Sequence, residues 1–142
     1  MISIESFLQS KGINNFELVS TSSSPVEDSK RYGISLSNLI KALLVNIDET
    51  FVVFLVPMDQ KLDFEELKNR FKAQNVRMAT RDEVLLITGY RVGNVPPFNL
   101  QSDVKVYIEK GFEEDGEVLA SAGLDDTLVK MAYHDLAMIL QS

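Results

Sequence analysis

Two apolar runs lie next to each other in the middle of the chain, and together they restrict the fold more than any other feature. Residues Ile40 to Ile47 and Phe51 to Val56 are separated only by Asp48, Glu49 and Thr50. A connection this short predicts a hairpin whose two strands are both largely buried. An adjacent hairpin interrupts the alternation of strands and helices that a doubly wound parallel sheet requires. We therefore expect a mixed sheet with helices packed around it.

Helix-start and helix-stop signals surround this hairpin. The segment Ser24-Pro25-Val26-Glu27 combines a capping serine, a proline at the first helical position and a glutamate three residues after the cap, and Gly33 supplies the stop. Further helices are predicted to begin near Ser3, Asp63, Thr80 and His134. Shorter strands are predicted at Phe16 to Val19, Val104 to Ile108, Val118 to Leu119 and Leu128 to Met131.

Composition removes several classes of function. The chain has 142 residues without an internal repeat or linker, so we expect one domain over residues 1–142. It has no cysteine and one histidine, His134, which excludes a thiol nucleophile and multi-histidine metal sites, and we predict no metal or cofactor. Residues Met1 to Glu5 lack a signal-peptide pattern, and no apolar run is long enough to cross a bilayer. We expect a cytoplasmic protein without a membrane partner.

Charge is segregated along the chain. Fourteen basic and 21 acidic residues give a net charge of -7, which disfavours general attraction to a nucleic-acid backbone. Any nucleic-acid contact must therefore be local. One segment carries five basic residues with no acid between them, and it is either such a contact or a solvated face: Lys68, Arg70, Lys72, Arg77 and Arg81.

Lys41 lies inside the apolar run rather than in a turn. Strand alternation places it on the same face as Leu43 and Val45. An ammonium directed towards a half-buried face needs an acceptor, because an unpaired buried charge costs several kcal/mol. A pocket whose ligand supplies that acceptor would meet the need. The alternative is a lysine whose stem lies on apolar surface while its ammonium reaches water.

Two further segments have residues suited to ester chemistry. The first runs from Gly89 to Phe98 and contains Gly93 and a double proline, which make its backbone stiff. Its backbone amides can therefore face a developing oxyanion. The alternative is that the segment is only a helix stop followed by a stiff connection. The second segment is Ser121-Ala122-Gly123-Leu124-Asp125-Asp126. It offers a hydroxyl, a backbone donor and a carboxylate that could pair with a substrate ammonium. The alternative is that the segment is a polar turn. Ser121 lacks a GxSxG context, which disfavours a serine triad.

Taken in order, these segments resemble the YbaK-type, prolyl-tRNA-synthetase-associated editing domain family of aminoacyl-tRNA deacylases. The resemblance runs from about residue 20 to the C-terminus. Lys41 falls where the family keeps a lysine, Gly93 to Pro97 reproduces its GxxxP loop, and Ser121-Ala122-Gly123 matches its small-residue loop. The resemblance implies an α/β domain with a mixed, strongly curved central sheet. It also implies hydrolysis of the ester that joins a wrong amino acid to the terminal ribose of a tRNA.

From this resemblance we assign roles to residues. We expect Lys41 to position the substrate, and the backbone amides of Gly93, Asn94 and Gly123 to stabilise the oxyanion. The expected substrate-binding residues are Asn94, Pro96, Pro97, Ser121, Ala122 and Asp126, with Asp125 as the alternative to Asp126. The expected tRNA-binding residues are Lys68, Arg70, Lys72, Arg77 and Arg81.

The expected partners are a misacylated tRNA, bound by its acceptor end, and an aminoacyl-tRNA synthetase. Two other functions compete with this one. The first is a non-catalytic module that binds an aminoacyl group, a tRNA end or a protein partner. The second is a hydrolase of small free esters or thioesters. A binding module would hydrolyse no ester in a panel, whereas a small-ester hydrolase would act well on amino-acid esters that lack adenosine and would not depend on the basic segment.

Overall fold

The central hairpin belongs to one of the two sheets that residues 2–141 form, and the five α-helices of this range pack around these sheets. The computed structural model describes residues 2–141. Its elements are α1 (Ile4–Ser10), β1 (Phe16–Ser20), α2 (Pro25–Tyr32), β2 (Ile40–Ile47), β3 (Thr50–Pro57), α3 (Phe64–Phe71), β4 (Val76–Met78), α4 (Arg81–Thr88), β5 (Lys105–Ile108), β6 (Glu117–Leu124), β7 (Thr127–Ala132) and α5 (Tyr133–Gln141). The mixed α/β class predicted from the sequence is confirmed.

The predicted helices form, and their caps explain where they begin. Thr80 Oγ1 accepts a hydrogen bond from Glu83 N at 3.2 Å, and the Glu83 carboxylate accepts one from Thr80 N at 2.8 Å. This reciprocal capping box satisfies two backbone donors that would otherwise lack partners at the start of α4. Gly33 ends α2 in the left-handed conformation, with φ 65°. Side chains also cap α1, α2 and α3, and these are Ser3, Ser24 and Asp63.

The β2–β3 hairpin turns through two residues in the left-handed region. Asp48 has φ 46° and Glu49 has φ 71°, as a two-residue type I′ connection requires. Asn46 Oδ1 accepts a hydrogen bond from Glu49 N at 2.9 Å, and the Asp48 carboxylate accepts one from Asn75 N at 2.8 Å. The second bond holds the segment before β4 against the turn. Strand β4 was not predicted, because three residues give too short a pattern.

The strands divide into two sheets rather than one central sheet. The order β4-β2-β3-β5 forms a mixed sheet in which β3 and β5 are parallel, and β1-β7-β6 forms an antiparallel sheet. Within residues 2–141, a single isolated bridge between Leu39 and Leu119 connects the two. Strand β6 is longer than predicted and contains the whole Ser121-Ala122-Gly123 segment. That segment is therefore a strand with a bulge rather than a loop.

Alternation along β2 and β3 separates two cores. Leu44, Val53 and Leu55 face the three-stranded sheet, where they pack with Val118 and Val129. The intervening residues face α3 on the other side, where Phe54 packs with Leu67, Phe71 and Tyr107. In the part of the chain that the structure describes, no helix is long and apolar enough to span a bilayer.

Candidate functional site

A cavity of about 350 Å³ opens beside the first half of β2, where the two sheets diverge. The bridge to the other sheet is at Leu39, and β4 pairs with β2 only from Val45 onwards. Between these two points the edge of β2 has no strand partner on that side among residues 2–141. We call this space the central cavity. Its lining residues are Ile40, Lys41, Ala42, Leu43, Leu44, Met58, Met78, Ala79, Val84, Val92, Gly93, Val95 and Ser121.

Lys41 lies at the start of β2, opposite Val56, and its half-buried side chain lines the central cavity. Its ammonium donates a hydrogen bond to the backbone carbonyl of Gln60 in the segment after β3. Gln60 itself does not line the central cavity, although Met58 of the same segment does. An ammonium has three donors, so the contact with Gln60 leaves two for a ligand.

Gly93 lies at the mouth of the cavity, in a tight turn of residues 91–94. Asn94 N donates to Arg91 O at 2.9 Å, and Gly93 has φ 90°, which a side chain other than glycine rarely adopts. The Asn94 amide is therefore already paired, contrary to the expectation that it faces a substrate carbonyl. Within residues 2–141 the Gly93 amide has no hydrogen-bond partner.

Ser121 borders the cavity from β6, and Gly123 follows it without reaching the cavity. Gly123 N donates to Ser121 Oγ at 3.1 Å, so this second expected oxyanion donor is also occupied within the protein. Gly123 has φ 85°, and an added Cβ would lie 2.4 Å from Cε1 of Tyr90. The glycine is required here for close packing of the Tyr90 ring, whose hydroxyl donates to Asn99 O at 3.1 Å. Burial raises the pKa of Tyr90.

A second space, of about 240 Å³, lies next to the central cavity and shares Gly93 and Ser121 with it. We call it the hydroxyl groove. It is lined by Thr21, Ser23, Gly93, Asn94, Ser121, Leu124, Asp125, Thr127 and Leu128. Asn94 Nδ2 donates to Asp125 Oδ1 across it. The exposed Asp126 accepts from Thr127 Oγ1 and does not line the groove, so the carboxylate at the site belongs to Asp125.

The loop from Thr21 to Ser24 completes the hydroxyl groove through Thr21 and Ser23, and the sequence did not predict its place in the site. Asp28, only 3% exposed, accepts hydrogen bonds from Thr21 Oγ1 at 2.5 Å, Ser22 N at 2.8 Å and Ser22 Oγ at 2.9 Å. Burial acts to raise the pKa of Asp28, but these hydrogen bonds outweigh it and lower the pKa below its usual value. The polar run before Pro25 was the available signal.

Three of the other predicted substrate-binding residues lie in the protein interior. Pro96, Pro97 and Ala122 are buried, and none of them lines the central cavity or the hydroxyl groove. The two prolines instead lead from the Gly93 turn to Phe98, whose ring stacks on Phe7 at 5.3 Å between ring centroids. They contribute to the site by fixing the turn, and Ala122 contributes by packing in the core.

The five predicted tRNA-binding residues do not form an open basic face, because the fold brings carboxylates to three of them. Arg70 bonds Glu66 and Glu109, with Nη2 2.8 Å from Glu109 Oε1. Arg77 bonds Glu83 at 2.8 and 3.0 Å, which lowers the pKa of Glu83 to about 2. Lys68 lies 3.4 Å from Glu65. Among residues 2–141 the cations without an acidic partner within 4 Å include Lys72, Arg81 and Arg91.

A larger groove, of about 720 Å³, lies near the start of α3, and Lys61 and Lys110 line it together with a cluster of paired charges. Arg70 is bonded to Glu66 and Glu109 there, and Asp63 caps α3. The central cavity differs because its walls are mostly apolar and the free Gly93 amide lies beside them. His134 is exposed at the start of α5 and lines neither the central cavity nor the hydroxyl groove, so we do not assign it as a catalytic base. No cluster of three or more acidic or histidine side chains that could hold a metal ion occurs within residues 2–141.

Comparison with known proteins identifies the family of the segment that contains both the central cavity and the hydroxyl groove. Residues 21–139 match the model of the aminoacyl-tRNA editing domain. The chain belongs to the aminoacyl-tRNA editing domain family. The match includes β2, the Gly93 turn and β6, so every element that borders the two spaces is part of the editing domain.

Individual relatives of this editing domain differ in length and context. The uncharacterised protein YwhH of Bacillus subtilis is 29% identical over 133 residues, which cover 92% of this chain and 84% of YwhH. A proline–tRNA ligase of Halalkalibacterium halodurans is 33% identical over 84 residues, or 59% of this chain, but this is only 15% of the ligase. A crystal structure described as a candidate trans-editing enzyme for prolyl tRNA synthetase superposes with a TM-score of 0.86 at 21% identity, over 98% of this chain and 90% of that one.

Proposed function

We propose that this protein is an aminoacyl-tRNA deacylase, which hydrolyses the ester between a wrongly attached amino acid and the terminal ribose of a tRNA. One observation carries the proposal: Lys41, Gly93 and Ser121, from three separate parts of the chain, border one cavity in an editing domain. The similarity to a segment of proline–tRNA ligases supports tRNA as the substrate and a synthetase as a partner.

Hydrolysis of an ester requires few catalytic groups from the protein, because the ester carbonyl is already activated. The protein positions the ester, admits one water and stabilises the negative charge on the carbonyl oxygen. The water oxygen attacks the carbonyl carbon, and the bond from that carbon to the ribose oxygen breaks. A proton from the water passes to the ribose oxygen, with a neighbouring ribose hydroxyl as the relay. The products are the free amino acid and a tRNA with its terminal hydroxyl restored.

The Gly93 amide is the donor that we assign to the oxyanion. The amides of Asn94 and Gly123 are bonded within the protein, whereas Gly93 N has no partner among residues 2–141 and lies where both spaces meet. A preorganised donor of this kind contributes on the order of 3 kcal/mol to the transition state. The Arg91–Asn94 hydrogen bond contributes indirectly, because it fixes the turn that aims the Gly93 amide.

Lys41 and Asp125 hold the substrate from opposite sides. We assign Lys41 to the ester and ribose oxygens, which accept the two donors that its contact with Gln60 leaves free. Asp125, which lines the hydroxyl groove, pairs with the substrate α-ammonium beside Asn94. The hydroxyl groove then receives the terminal ribose, whose hydroxyls match the side chains of Thr21 and Ser23.

Docking of the tRNA backbone falls to Arg81 and Arg91 in this proposal. Arg81 begins α4, two residues after Ala79, and Arg91 precedes Val92; both neighbours line the central cavity. Both arginines are exposed and have no ion-pair partner among residues 2–141. They therefore replace Lys68, Arg70 and Arg77, whose charges are compensated by nearby carboxylates.

The Lys41→Ala variant tests the proposal. We expect it to fold normally and to lose at least about 10²-fold in kcat for deacylation of misacylated tRNA. Lys61→Ala, at an exposed lysine that does not line the central cavity, is the control and should keep the parent rate. A Lys41→Ala protein that cleaves at the parent rate would contradict the role given to Lys41.

The docking residues need a separate measurement. The double variant Arg81→Ala and Arg91→Ala should weaken the use of tRNA several-fold and reduce its salt dependence, while hydrolysis of a minimal aminoacyl ester persists. Lys68→Ala and Arg70→Ala together serve as the matched control and should leave the salt dependence unchanged. The reverse pattern would return the docking surface to α3.

A binding module without turnover is the second function that a structural observation favours. Two of the three expected oxyanion donors are occupied within the protein. A module would bind an aminoacyl-adenosine analogue that cannot be cleaved, yet hydrolyse no ester in a panel of misacylated tRNAs. Multiple turnover on any member of that panel rejects the module.

A further inference from the structure

We propose that the central cavity selects substrates with aliphatic side chains larger than that of alanine, and that it discriminates against hydroxylated side chains of the same shape. The inference rests on the proposed function and adds the class of amino acid to it. Its basis is the chemistry of the walls, because ten of the thirteen lining residues are apolar. An apolar wall gains from burying methyl groups and offers a hydroxyl nothing in exchange for water.

Within residues 2–141, only two polar side chains, those of Lys41 and Ser121, line the cavity, and each already makes one hydrogen bond within the protein. The Lys41 ammonium bonds the Gln60 carbonyl, and Ser121 Oγ accepts from Gly123 N at 3.1 Å. Ser121 also borders the hydroxyl groove, so it lies where the two spaces join, at the end where we place the ester. The remaining side chains around the cavity have no hydrogen-bonding atoms other than the weakly accepting sulfurs of Met58 and Met78.

The size of the cavity argues for a side chain larger than a methyl group. Its volume is about 350 Å³, whereas one water occupies roughly 30 Å³ of liquid, so an alanine methyl would leave most of the space unfilled. A branched aliphatic side chain fills more of it and displaces more water from apolar surface. Met58 and Met78 have flexible, polarisable side chains, and they can close around ligands of somewhat different shape.

The test compares aminoacyl esters of adenosine that carry alanine, valine, leucine or threonine. Valine and threonine have the same shape and differ in a methyl against a hydroxyl group. We expect kcat/KM for the valyl ester to exceed that for the threonyl ester by about 10²-fold, and to exceed that for the alanyl ester by at least about 10-fold. A preference for alanyl, or equal rates on valyl and threonyl esters, overturns the inference.

Non-hydrolysable amide analogues of the same series separate this inference from the proposed function. If no ester is hydrolysed but the valyl analogue binds more tightly than the threonyl one, the selectivity stands and the deacylase proposal fails. If esters are hydrolysed without that preference, the deacylase proposal stands and the selectivity fails. Equal binding of all analogues in the absence of hydrolysis overturns both.

Two substitutions link the preference to this cavity. Ala42→Val adds bulk to a wall residue in a strand, where a β-branched side chain is well accommodated, and it should lower kcat/KM for the leucyl ester at least about 10-fold while sparing the alanyl ester. Leu86→Ala, at a residue on α4 that is 69% exposed and lies outside the cavity, is the control and should change neither. An unchanged leucyl-to-alanyl ratio in Ala42→Val overturns the assignment of the side chain to the central cavity.

Discussion

The two faces of the four-stranded sheet differ in how completely they are covered. On one face, α3 seals the sheet: Phe54 and Leu67 are fully buried, and the Phe54 ring stacks on Tyr107 with centroids 5.5 Å apart. On the same face, Arg70 donates hydrogen bonds to Glu109 and Glu66, and these hydrogen bonds raise the pKa of Arg70. The other face meets the three-stranded sheet but leaves the central cavity open beside β2. One face of the sheet is thus closely packed, while the other face leaves space in which a ligand could bind.

The largest expected difference between the faces is in stability. Leu67→Ala, on the α3 face, should lower the free energy of unfolding by about 2 to 5 kcal/mol, because it creates a cavity in a sealed core. Met78→Ala, at the central cavity, should cost about 1 kcal/mol or less, because Met78 is already 42% exposed. Urea unfolding measures both. Equal costs would show that the central cavity is filled in solution as tightly as the α3 face is.

Two glycines on the open side sharpen the comparison between packing and catalysis. Gly123→Ala should cost about 1 to 3 kcal/mol, because the new Cβ meets the Tyr90 ring and φ is positive. Gly93→Ala meets nothing within 4 Å, so only backbone strain of about 1 to 2 kcal/mol is expected, together with a marked loss of deacylation. Thermal unfolding and single-turnover rates report the two effects. A rate loss per folded molecule in Gly123→Ala as large as that in Gly93→Ala would return Gly123 to the catalytic set.

A third expected effect, no larger than that of Gly123→Ala, depends on pH and concerns the loop that completes the hydroxyl groove. Asp28→Asn should lower stability at pH 7 by about 1 to 3 kcal/mol, because the charged acceptor of three hydrogen bonds is lost. The folded pKa of Asp28 lies below its usual 3.8, so this contribution is present above that pH and disappears as the pH falls through the folded pKa. Urea unfolding at neutral and acidic pH checks it. A pH-independent difference would mean that the charge of Asp28 contributes nothing.

Much of the fold follows from local chemistry that can be recognised in the sequence. The caps at Ser24 and Thr80 and the stop at Gly33 depend on residues within one turn, so the helices appear where predicted. The β2–β3 hairpin follows from two apolar runs in immediate succession. The division into two sheets could not be predicted, because strand partners distant in sequence are chosen by packing, and no local pattern encodes that choice.

The candidate site was only partly predictable for the same reason. Residue type and sequence context predicted Lys41, Gly93 and Ser121 as site residues, and all three line the central cavity. The state of the backbone amides depends on hydrogen bonds formed in the fold, and therefore Asn94 and Gly123 could not be distinguished from Gly93. The basic segment contains no acids of its own, but carboxylates such as Glu109 approach it from other elements of the fold.

The bridge between Leu39 and Leu119 has a mechanical consequence for the cavity. Each sheet keeps its own ladder of backbone hydrogen bonds, and within residues 2–141 the ladders meet at this one point. Ser121, on β6, is the one residue of the three-stranded sheet that lines the central cavity, and the other lining residues belong to β2 and to segments outside that sheet. The distance of Ser121 from the β2 wall is therefore fixed by this one bridge and by side-chain packing, and not by a continuous ladder of backbone hydrogen bonds.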